Sequence, residues 1–538
     1  MANTTFSNGI TLTDAEWFND VNDAIYENVY NVRNSAYGAV GNGSTDDTTA
    51  VQSALTAGAG KNVFFPPGTY KITSTLAVSA NTVLIIDGAT LDFTNASSGV
   101  DIRLDGQNIH IYGKNAYLNF ESVQCIAAAN GANVDGLHIE GIEVTCQTAG
   151  NGHGIQINNT GTSDNLTIIN NRWVDCSQSI LLNDGPSSMN KIVIKGNRIE
   201  GGYRDGIQVN RPTLGSTDVL ISENVIDLDA TGSGLTTDGF GVSIEKVVRL
   251  NISDNVITFS RREGVHLDGS SGDDNDYTVI SGNVMLTGEY GILVNEPAKS
   301  ISIVNNICTK SGSVAVAGIA VVSSTETGIN NFVIMGNIVA GYSQGIYGGL
   351  GGESIPIIQG NYVHDCTKGI DLERAYQAQG ICNNVLEDCT VGVESTSGGV
   401  IGKNIYRDVT TICDNTGQRA TFLKGFSVIK TGISTTNGAN SQTLIADLFT
   451  ASARAYGFAS MMWFDETSNT NWALRKNTLQ WDGSSLTSTS LFNTSGGGAL
   501  STTAFAVASD DLNVSCANSG GTITTSITLD FDGDLLVL

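Results

Sequence analysis

One short motif, Ile-x-x-Asn, recurs through the middle of this sequence and constrains the fold more than any other feature. Its asparagines are Asn171, Asn197, Asn224, Asn255, Asn283, Asn306, Asn337, Asn361, Asn384 and Asn404. The intervals run from 20 to 31 residues and average about 26, a period typical of a solenoid. A second motif runs in phase with it, as in "DGIQVN", "FGVSIE", "EGVHLD" and "KGIDLE", where a glycine precedes alternating aliphatic residues.

The two motifs together predict an all-β protein whose residues 36–422 form a right-handed, single-stranded parallel β-helix. Each period has room for two or three short strands. Glycine and asparagine tolerate the left-handed backbone that tight corners need, and stacked asparagine side chains can form a ladder along the axis. The composition agrees, because 63 glycines against 6 prolines favour strands joined by tight turns.

The stretch "YGAVGNGSTDDTTAVQSAL", followed by "VFFPPGTYKI" up to residue 72, resembles the entry of the pectate-lyase-like β-helix superfamily. The resemblance implies a helix continuing through Val51 and Leu55, then a first strand and turn. It implies the fold and no single activity, because the superfamily contains hydrolases, lyases, epimerases and non-catalytic members.

The chain before this entry, residues 1–35, resembles the N-terminal segment of bacteriophage tail spikes and fibres. Thr13 and Glu16 form a capping box ahead of a short amphipathic helix. Such a helix cannot fold alone, so it should pack on something. We expect either a virion anchor that binds a phage tail or baseplate protein, or a cover for the end of the β-helix.

The repeat stops after residue 422, and residues 423–538 are predicted to form a C-terminal antiparallel β-sandwich-like domain. Tail spikes that this chain resembles commonly use such a domain for trimerisation or host binding. The resemblance therefore implies a homotrimer, in which three parallel solenoids would lie side by side.

Charge and hydropathy exclude several classes of partner. A net charge of −26 argues against nucleic acid and acidic membrane surfaces. No apolar run is long enough to predict membrane insertion, and the start of the sequence does not look like a signal peptide, so we expect synthesis in the host cytoplasm. The nine cysteines lack metal-ligand spacing and are expected to be reduced core residues, with no metal and no cofactor.

If the glycine strands stack in register, residues two and four past each glycine form outward columns about 4.8 Å apart from rung to rung. Acidic residues gather on three consecutive rungs, and the candidate catalytic residues are Glu245, Asp268, Asp205 and Glu263. Stacked carboxylates repel each other and cost stability, so their grouping indicates a site. A solvated polar strand face is the alternative. A second, smaller group contains Lys368, Asp371 and Glu373.

Rung spacing relates these acids to glycosidic cleavage. Glu245 and Asp268 on adjacent rungs would lie about 5 Å apart, as in retaining hydrolases. Asp205 with Asp268, or Glu245 with Glu263 on a diagonal, would give the wider spacing of inverting enzymes, about 6.5–9.5 Å. The candidate substrate-binding residues are His266, Gln208, Asn210, Arg211, Tyr203, Arg204 and Arg262. The arginines suit an acidic sugar.

The sequence thus predicts a homotrimeric phage tail spike, part of the virion, that recognises and hydrolyses a bacterial surface polysaccharide. The polysaccharide would be a capsule, an O-antigen or an exopolysaccharide. One alternative is a lyase on the same fold, with His266 as the base and an arginine to neutralise the uronate. Another is a receptor-binding tail fibre without chemistry. A cellular pectin-degrading enzyme is disfavoured because no secretion signal is seen.

Overall fold

The structure is a computed structural model of the chain. It describes residues 28–96, 99–121, 124–146, 152–158, 161–183, 188–210, 215–228, 239–269, 275–295, 300–311, 315–322, 332–349, 357–373, 378–395, 399–414, 421–435, 440–445, 455–465, 468–481, 486–496, 501–508, 511–517 and 523–537. The predicted N-terminal helix lies outside the described residues, as does Arg211. The virion anchor therefore stays a prediction.

The chain divides into two units, residues 1–278 and 279–538, and each is described by itself. The described part of the first unit has one α-helix, α1 (Thr48–Ala57). Its strands are β1 Val29–Asn31, β2 Asn42–Asp46, β3 Asn62–Phe65, β4 Gly68–Lys71, β5 Leu76–Val78, β6 Val83–Asp87, β7 Ala89–Asp92, β8 Val100–Leu104, β9 His110–Phe120, β10 Gln124–Ala128, β11 His138–Cys146, β12 His153–Ile157, β13 Thr167–Ile169, β14 Arg172–Val174, β15 Gln178–Leu182, β16 Asn190–Lys195, β17 Arg198–Glu200, β18 Ile207–Asn210, β19 Ser216–Ser222, β20 Val225–Asp227, β21 Val242–Glu245, β22 Val247–Ser253, β23 Val256–Ser260 and β24 Glu263–Asp268.

The second unit begins within β25 (Thr278–Ser281) and has two kinds of strand. The first kind is short: β26 Val284–Thr287, β27 Tyr290–Asn295, β28 Ile301–Val304, β29 Ile307–Lys310, β30 Ala317–Val322, β31 Val333–Met335, β32 Ile338–Ala340, β33 Gln344–Gly349, β34 Ile357–Gln359, β35 Tyr362–His364, β36 Lys368–Glu373, β37 Ala378–Cys382, β38 Val385–Glu387, β39 Val391–Ser395, β40 Gly399–Ile401, β41 Ile405–Arg407 and β42 Thr411–Asp414. The second kind is mostly longer: β43 Thr421–Thr435, β44 Asn440–Ile445, β45 Ala455–Asp465, β46 Ser468–Trp481, β47 Leu486–Gly496, β48 Ser501–Ala508, β49 Asp511–Ala517 and β50 Ile523–Val537.

Parallel pairing with the strand one turn later generates a solenoid in each unit. In the first unit β18 pairs with β21, β19 with β22 and β20 with β23, all parallel. In the second unit β29 pairs with β32, β30 with β33 and β31 with β34 in the same way. Three strands per turn bury alternate aliphatic side chains in the coil. The predicted parallel β-helix is confirmed.

The repeated asparagines form the expected ladder. In the first unit Asn197 Nδ2 donates to Asn224 Oδ1 at 3.0 Å, and Asn224 Nδ2 donates to Asn255 Oδ1 at 2.9 Å. In the second unit the ladder continues from Asn337 to Asn361, with an Nδ2–Oδ1 distance of 3.0 Å. Each asparagine side chain thus supplies hydrogen bonds that the buried backbone groups at the corner would otherwise have made with water.

Glycine is required in the second motif for a steric reason, and not for the left-handed corner that was predicted. A Cβ on Gly241 would lie 2.4 Å from Ile257 Cγ2 and 2.6 Å from the carbonyl oxygen of Gly264. Any side chain there would therefore collide with the interior and with the next rung. Left-handed residues instead lie just before ladder asparagines, such as Asn170 with φ of 57° and Gly196 with φ of 65°, and at other turns.

Cys125, Cys308, Cys366 and Cys389 are buried as predicted and Cys382 is half-buried, but the cysteines are not all reduced. Cys146 and Cys176 form a disulfide with a Cα–Cα distance of 5.0 Å, so the expectation of reduced thiols is wrong for this pair. The two cysteines lie 30 residues apart, about one turn, and stacking brings them together. Cys366 and Cys389 are free and buried.

The remaining predicted elements are also present. Helix α1 buries Val51 and Leu55 as expected. The C-terminal strands pair antiparallel, with β43 and β45 on either side of β50, and the sequence reading had not identified β47. The role of these strands in trimerisation stays a prediction. Within the described ranges, no helix is both long and apolar enough to cross a membrane.

Candidate active site

Three neighbouring parallel strands of the first unit, β18, β21 and β24, carry the acidic rungs. Their inward residues are fully buried aliphatic side chains, including Val209, Ile244 and Leu267. Alternation then directs the intervening side chains away from the interior. The local sequence thus fixes which residues can form an outer face, and register decides which of them become neighbours.

Glu245 and Asp268 lie directly opposite each other on adjacent rungs. Asn210 pairs with Glu245 in one register, and Glu245 pairs with Asp268 in the next. Rungs of a parallel sheet are about 4.8 Å apart. The predicted in-register column is therefore confirmed. Asp268 is 48% exposed and Glu245 is half-buried, so both are within reach of a ligand.

His266 lies between two carboxylates. Its Nδ1 is 3.7 Å from Glu263 Oε2, and its Nε2 is 3.9 Å from Asp268 Oδ2. Both ring nitrogens are buried and neither makes a hydrogen bond. The imidazole can therefore orient Asp268 from one side while Glu263 holds it from the other.

Glu263 is 0% exposed, so the solvated strand face considered as the alternative does not extend to this side chain. Neither carboxylate oxygen makes a hydrogen bond. The nearest cationic group, the Arg262 guanidinium, lies 3.6 Å from Oε1. Phe240 occupies the same position one rung earlier. A fully buried carboxylate without a hydrogen bond is costly, so its presence requires an explanation.

Asp205 is another buried acid of this unit. Its carboxylate accepts hydrogen bonds from Gln178 Nε2 at 3.2 Å and from the Phe240 N–H at 3.3 Å. Burial raises the pKa of Asp205 to about 6, although the hydrogen bonds from Phe240 and Gln178 act in the opposite direction. Asp205 is thus a carboxyl group that keeps its proton up to about pH 6 and is mostly ionised at pH 7.

The strand register separates the acids into two columns. Asp205, Phe240 and Glu263 each precede the glycine of their strand, while Asp268 lies five residues beyond Glu263. Five extended residues span about 16 Å. The predicted diagonal pairs, Asp205 with Asp268 and Glu245 with Glu263, therefore join different columns, and their use as an inverting pair stays a prediction. Asp205 and Glu263 share a column instead, two rungs or about 9–10 Å apart.

Phe240 and Gln178 are parts of the site that the sequence reading missed. The Phe240 ring lies 4.6 Å from the His266 ring, centroid to centroid, and the Arg262 guanidinium carbon lies 5.3 Å from the Phe240 centroid. Gln178 also donates to Gln208 Oε1. The signal for Phe240 was the "FG" of "FGVSIE", at the motif position that Asp205 and Glu263 occupy.

The other predicted binding residues surround these acids at different depths. Gln208, Asn210 and Tyr203 are half-buried, Arg262 is about one-third exposed, and Arg204 is exposed. The backbone N–H of Arg204 donates to the carbonyl of Ser177 at 2.9 Å, which fixes the segment before β18. Arg211 lies outside the described residues.

Two family models match the chain. Residues 29–257 match the family described as rhamnogalacturonase A/epimerase, pectate lyase-like. The fold is the pectate-lyase-like parallel β-helix. Residues 241–424 of this β-helix match the family described as periplasmic copper-binding protein (NosD). In the part of the chain that the structure describes, no group of three or more His, Cys, Asp and Glu side chains fits a metal ion.

Solved structures similar to this pectate-lyase-like β-helix include two tailspikes and an adhesin. The Dettilon tailspike protein is 14% identical, with 95% of each chain covered and a TM-score of 0.37. A mutant tailspike protein of E. coli bacteriophage HK620 in complex with pentasaccharide is 11% identical, covering 95% of this chain and 94% of that one, with a TM-score of 0.41. PfbA, a surface adhesin of Streptococcus pneumoniae, is 13% identical over 75% and 90% of the two chains, with a TM-score of 0.40. None of the curated proteins matches the sequence.

Proposed function

We propose that this chain is a phage tailspike that binds and hydrolyses a bacterial surface polysaccharide, such as a capsule, an O-antigen or an exopolysaccharide. The observation that carries the proposal is the register of Glu245 with Asp268 on adjacent rungs. A spacing near 4.8 Å falls just below the 5–5.5 Å of retaining glycosidases, and side-chain rotation covers the difference.

The two carboxyl groups would have different roles. Asp268 is the nucleophile, because its side chain is 48% exposed and His266 Nε2 faces its carboxylate at 3.9 Å. Glu245, on the rung before, is the acid that protonates the leaving oxygen and then the base that activates water.

Glu263 acts through His266 and not on the substrate. Its carboxylate approaches His266 Nδ1 at 3.7 Å and makes no hydrogen bond of its own, so it can hold the imidazole ring. Asp205 has a pKa of about 6 and lies one column away from Asp268, where it would donate to a bound sugar oxygen. The half-buried Phe240 ring, one rung from Asp205 in the same column, would pack on the apolar face of a sugar.

Hydrolysis is favoured over elimination on this chain. A lyase needs a base that reaches C5 of a uronate, and both nitrogens of His266 are buried. The exposed Arg204 and the partly exposed Arg262 would suit an acidic sugar in either reaction. Assembly as a homotrimer and attachment to the tail through the N-terminus are part of the proposal and rest on the resemblance of residues 1–35 to tail spikes.

The test is cleavage of purified capsular, O-antigen and exopolysaccharide preparations, measured as new reducing ends. We expect Glu245→Gln and Asp268→Asn to lower the rate by roughly 10²–10⁴-fold. The matched control is Glu223→Gln, which changes an exposed acid on a different strand and should leave the rate unchanged.

Each result has a distinct meaning. Normal cleavage by both site variants would contradict the residue assignment. A rise in ultraviolet absorbance from unsaturated product would indicate a lyase. Binding without new reducing ends would indicate a receptor-binding protein that performs no chemistry. Folding of each variant is checked by circular dichroism and size-exclusion chromatography.

A further inference from the structure

A separate polar cluster lies on the outer face of three consecutive strands in the second unit. The strands are β33, β36 and β39, and their pairing places Tyr347 beside Asp371 and Asp371 beside Glu394. Gln344 pairs with Lys368 in the same register. The flanking residues Ile370 and Leu372 are buried, so alternation directs Asp371 to the outer face.

Lys368 joins two carboxylates across neighbouring rungs. Its Nζ is 2.9 Å from Asp371 Oδ2 and 2.8 Å from Glu394 Oε1. Gln344 Nε2 donates to the same Asp371 oxygen at 2.6 Å. Burial disfavours the charge on Lys368, but the hydrogen bonds to Glu394 and Asp371 raise its pKa well above the ordinary value. These side chains are thus held in one geometry before any ligand arrives.

Asp371 retains one unused acceptor in this cluster. Its side chain is 0% exposed, and Oδ1 makes no hydrogen bond although Oδ2 accepts two. A buried carboxylate oxygen without a donor costs free energy. A hydroxyl group that entered beside Tyr347 would supply the missing donor.

An apolar surface adjoins the polar cluster along the same sheet. Leu293 and Ala320 are buried, and the partly buried Tyr347 and Val322 pack against them. A Cβ on Gly349 would lie 2.6 Å from the Tyr347 hydroxyl oxygen. The absence of a side chain at Gly349 therefore lets the phenol ring lie across the strand.

We propose that Tyr347, Lys368, Asp371 and Glu394 form a second saccharide-binding site, which takes an uncharged pyranose. The aromatic ring and the neighbouring aliphatic carbons would cover the C–H face of the sugar, and the ion-paired groups would bind its hydroxyls. One cation between two carboxylates leaves the cluster with a single negative charge. Anionic sugars are repelled by that charge, and a cation would have to displace Lys368.

This site is independent of the acidic rungs, since none of its residues belongs to β18, β21 or β24. It binds sugar without cleaving it. Its loss should weaken attachment to a glycan while the rate of bond cleavage in short substrates stays unchanged. Failure of the hydrolase proposal would therefore leave this one standing, and the reverse also holds.

The experiment is saturation-transfer NMR on the full chain with four neutral probes: maltohexaose, cellohexaose, laminarihexaose and chitohexaose. The variant Asp205→Asn serves as the background, so that a signal from the acidic rungs is weakened. We expect at least one probe to give a signal that Tyr347→Ala reduces by at least fivefold. Tyr347→Phe, which keeps the ring, should lose less of the saturation-transfer signal than Tyr347→Ala.

Gly349→Ala provides a second variant that leaves every proposed ligand-binding side chain in place. The added methyl group would displace the Tyr347 ring, so the signal should fall as it does for Tyr347→Ala. The proposal is overturned if no probe gives a signal, or if a signal persists at full strength in both Tyr347→Ala and Gly349→Ala. Circular dichroism confirms that each variant is folded.

Discussion

Each unit of the β-helix contains a fully buried carboxylate, and the two are compensated very differently. Asp371 in the second unit accepts hydrogen bonds from Lys368 at 2.9 Å and from Gln344 at 2.6 Å. Glu263 in the first unit makes no hydrogen bond, and its nearest cationic partners are 3.6–3.7 Å away. Both side chains are 0% exposed.

The difference shows that this scaffold can bury a carboxylate with or without close partners. An ion pair with good geometry offsets desolvation, as at Asp371, and holds a surface in one shape for binding. Glu263 lacks that offset, so it lowers stability where it lies. Residues that lower stability are expected at sites of chemistry, where a group must interact with something other than its own fold.

The largest effect is expected from breaking the compensated pair. Lys368→Met leaves Asp371 and Glu394 without their shared cation and should lower the free energy of unfolding by about 4 kcal/mol. Urea denaturation measures the change. Lys195→Met, which removes an exposed pair with Glu223, should cost less than about 1 kcal/mol. Equal losses would mean that the cluster around Lys368 is an ordinary surface pair.

The second effect is on the pH dependence of stability in the first unit. The pKa of Asp205 is about 6 when folded, above the ordinary 3.8. The folded state therefore binds this proton more tightly, and the associated stability is full below about pH 4 and is lost as pH rises through 6. Two pKa units correspond to about 3 kcal/mol.

Urea denaturation at pH 4 and pH 7 tests this sign. From pH 4 to pH 7 the free energy of unfolding of the wild-type protein should fall by up to about 3 kcal/mol more than that of Asp205→Asn. All other groups contribute to both proteins alike. The control Glu223→Gln should show the same change of unfolding free energy with pH as the wild type. If the unfolding free energy of Asp205→Asn changed with pH as much as that of the wild type, burial would not be raising the pKa of this carboxyl group.

A smaller effect is expected from the aromatic ring of the acidic rungs. Phe240→Ala should raise KM for the polysaccharide about tenfold, equivalent to 1.4 kcal/mol, with little change in kcat. Phe240→Tyr should behave like wild type. Tyr117→Ala, at an exposed aromatic residue on β9, is the matched control and should have no effect. A loss of kcat with KM unchanged would assign Phe240 to the alignment of His266 instead.

The sequence was sufficient for the features that repeat with the coil. Counting from each glycine predicted that Glu245 would stack on Asp268, because strand alternation and the interior aliphatics fix the register. The asparagine ladder followed from the same period. These features depend only on a regular spacing along the chain, and strand geometry then determines their neighbours.

The sequence was insufficient where side chains from different turns pack together. The burial of Glu263 depends on its neighbours Phe240 and Arg262. Phe240 belongs to the previous turn, and because the turns differ in length its position beside Glu263 is not evident from the sequence. The disulfide between Cys146 and Cys176 was missed for the same reason.

The most direct test of the difference between the two buried carboxylates is the free energy of unfolding of Glu263→Gln beside Asp371→Asn. Both changes remove a charge and keep the shape of the side chain. The account predicts that Glu263→Gln equals or exceeds wild type in stability, whereas Asp371→Asn loses about 1–3 kcal/mol. A loss in Glu263→Gln as large as that in Asp371→Asn would contradict it.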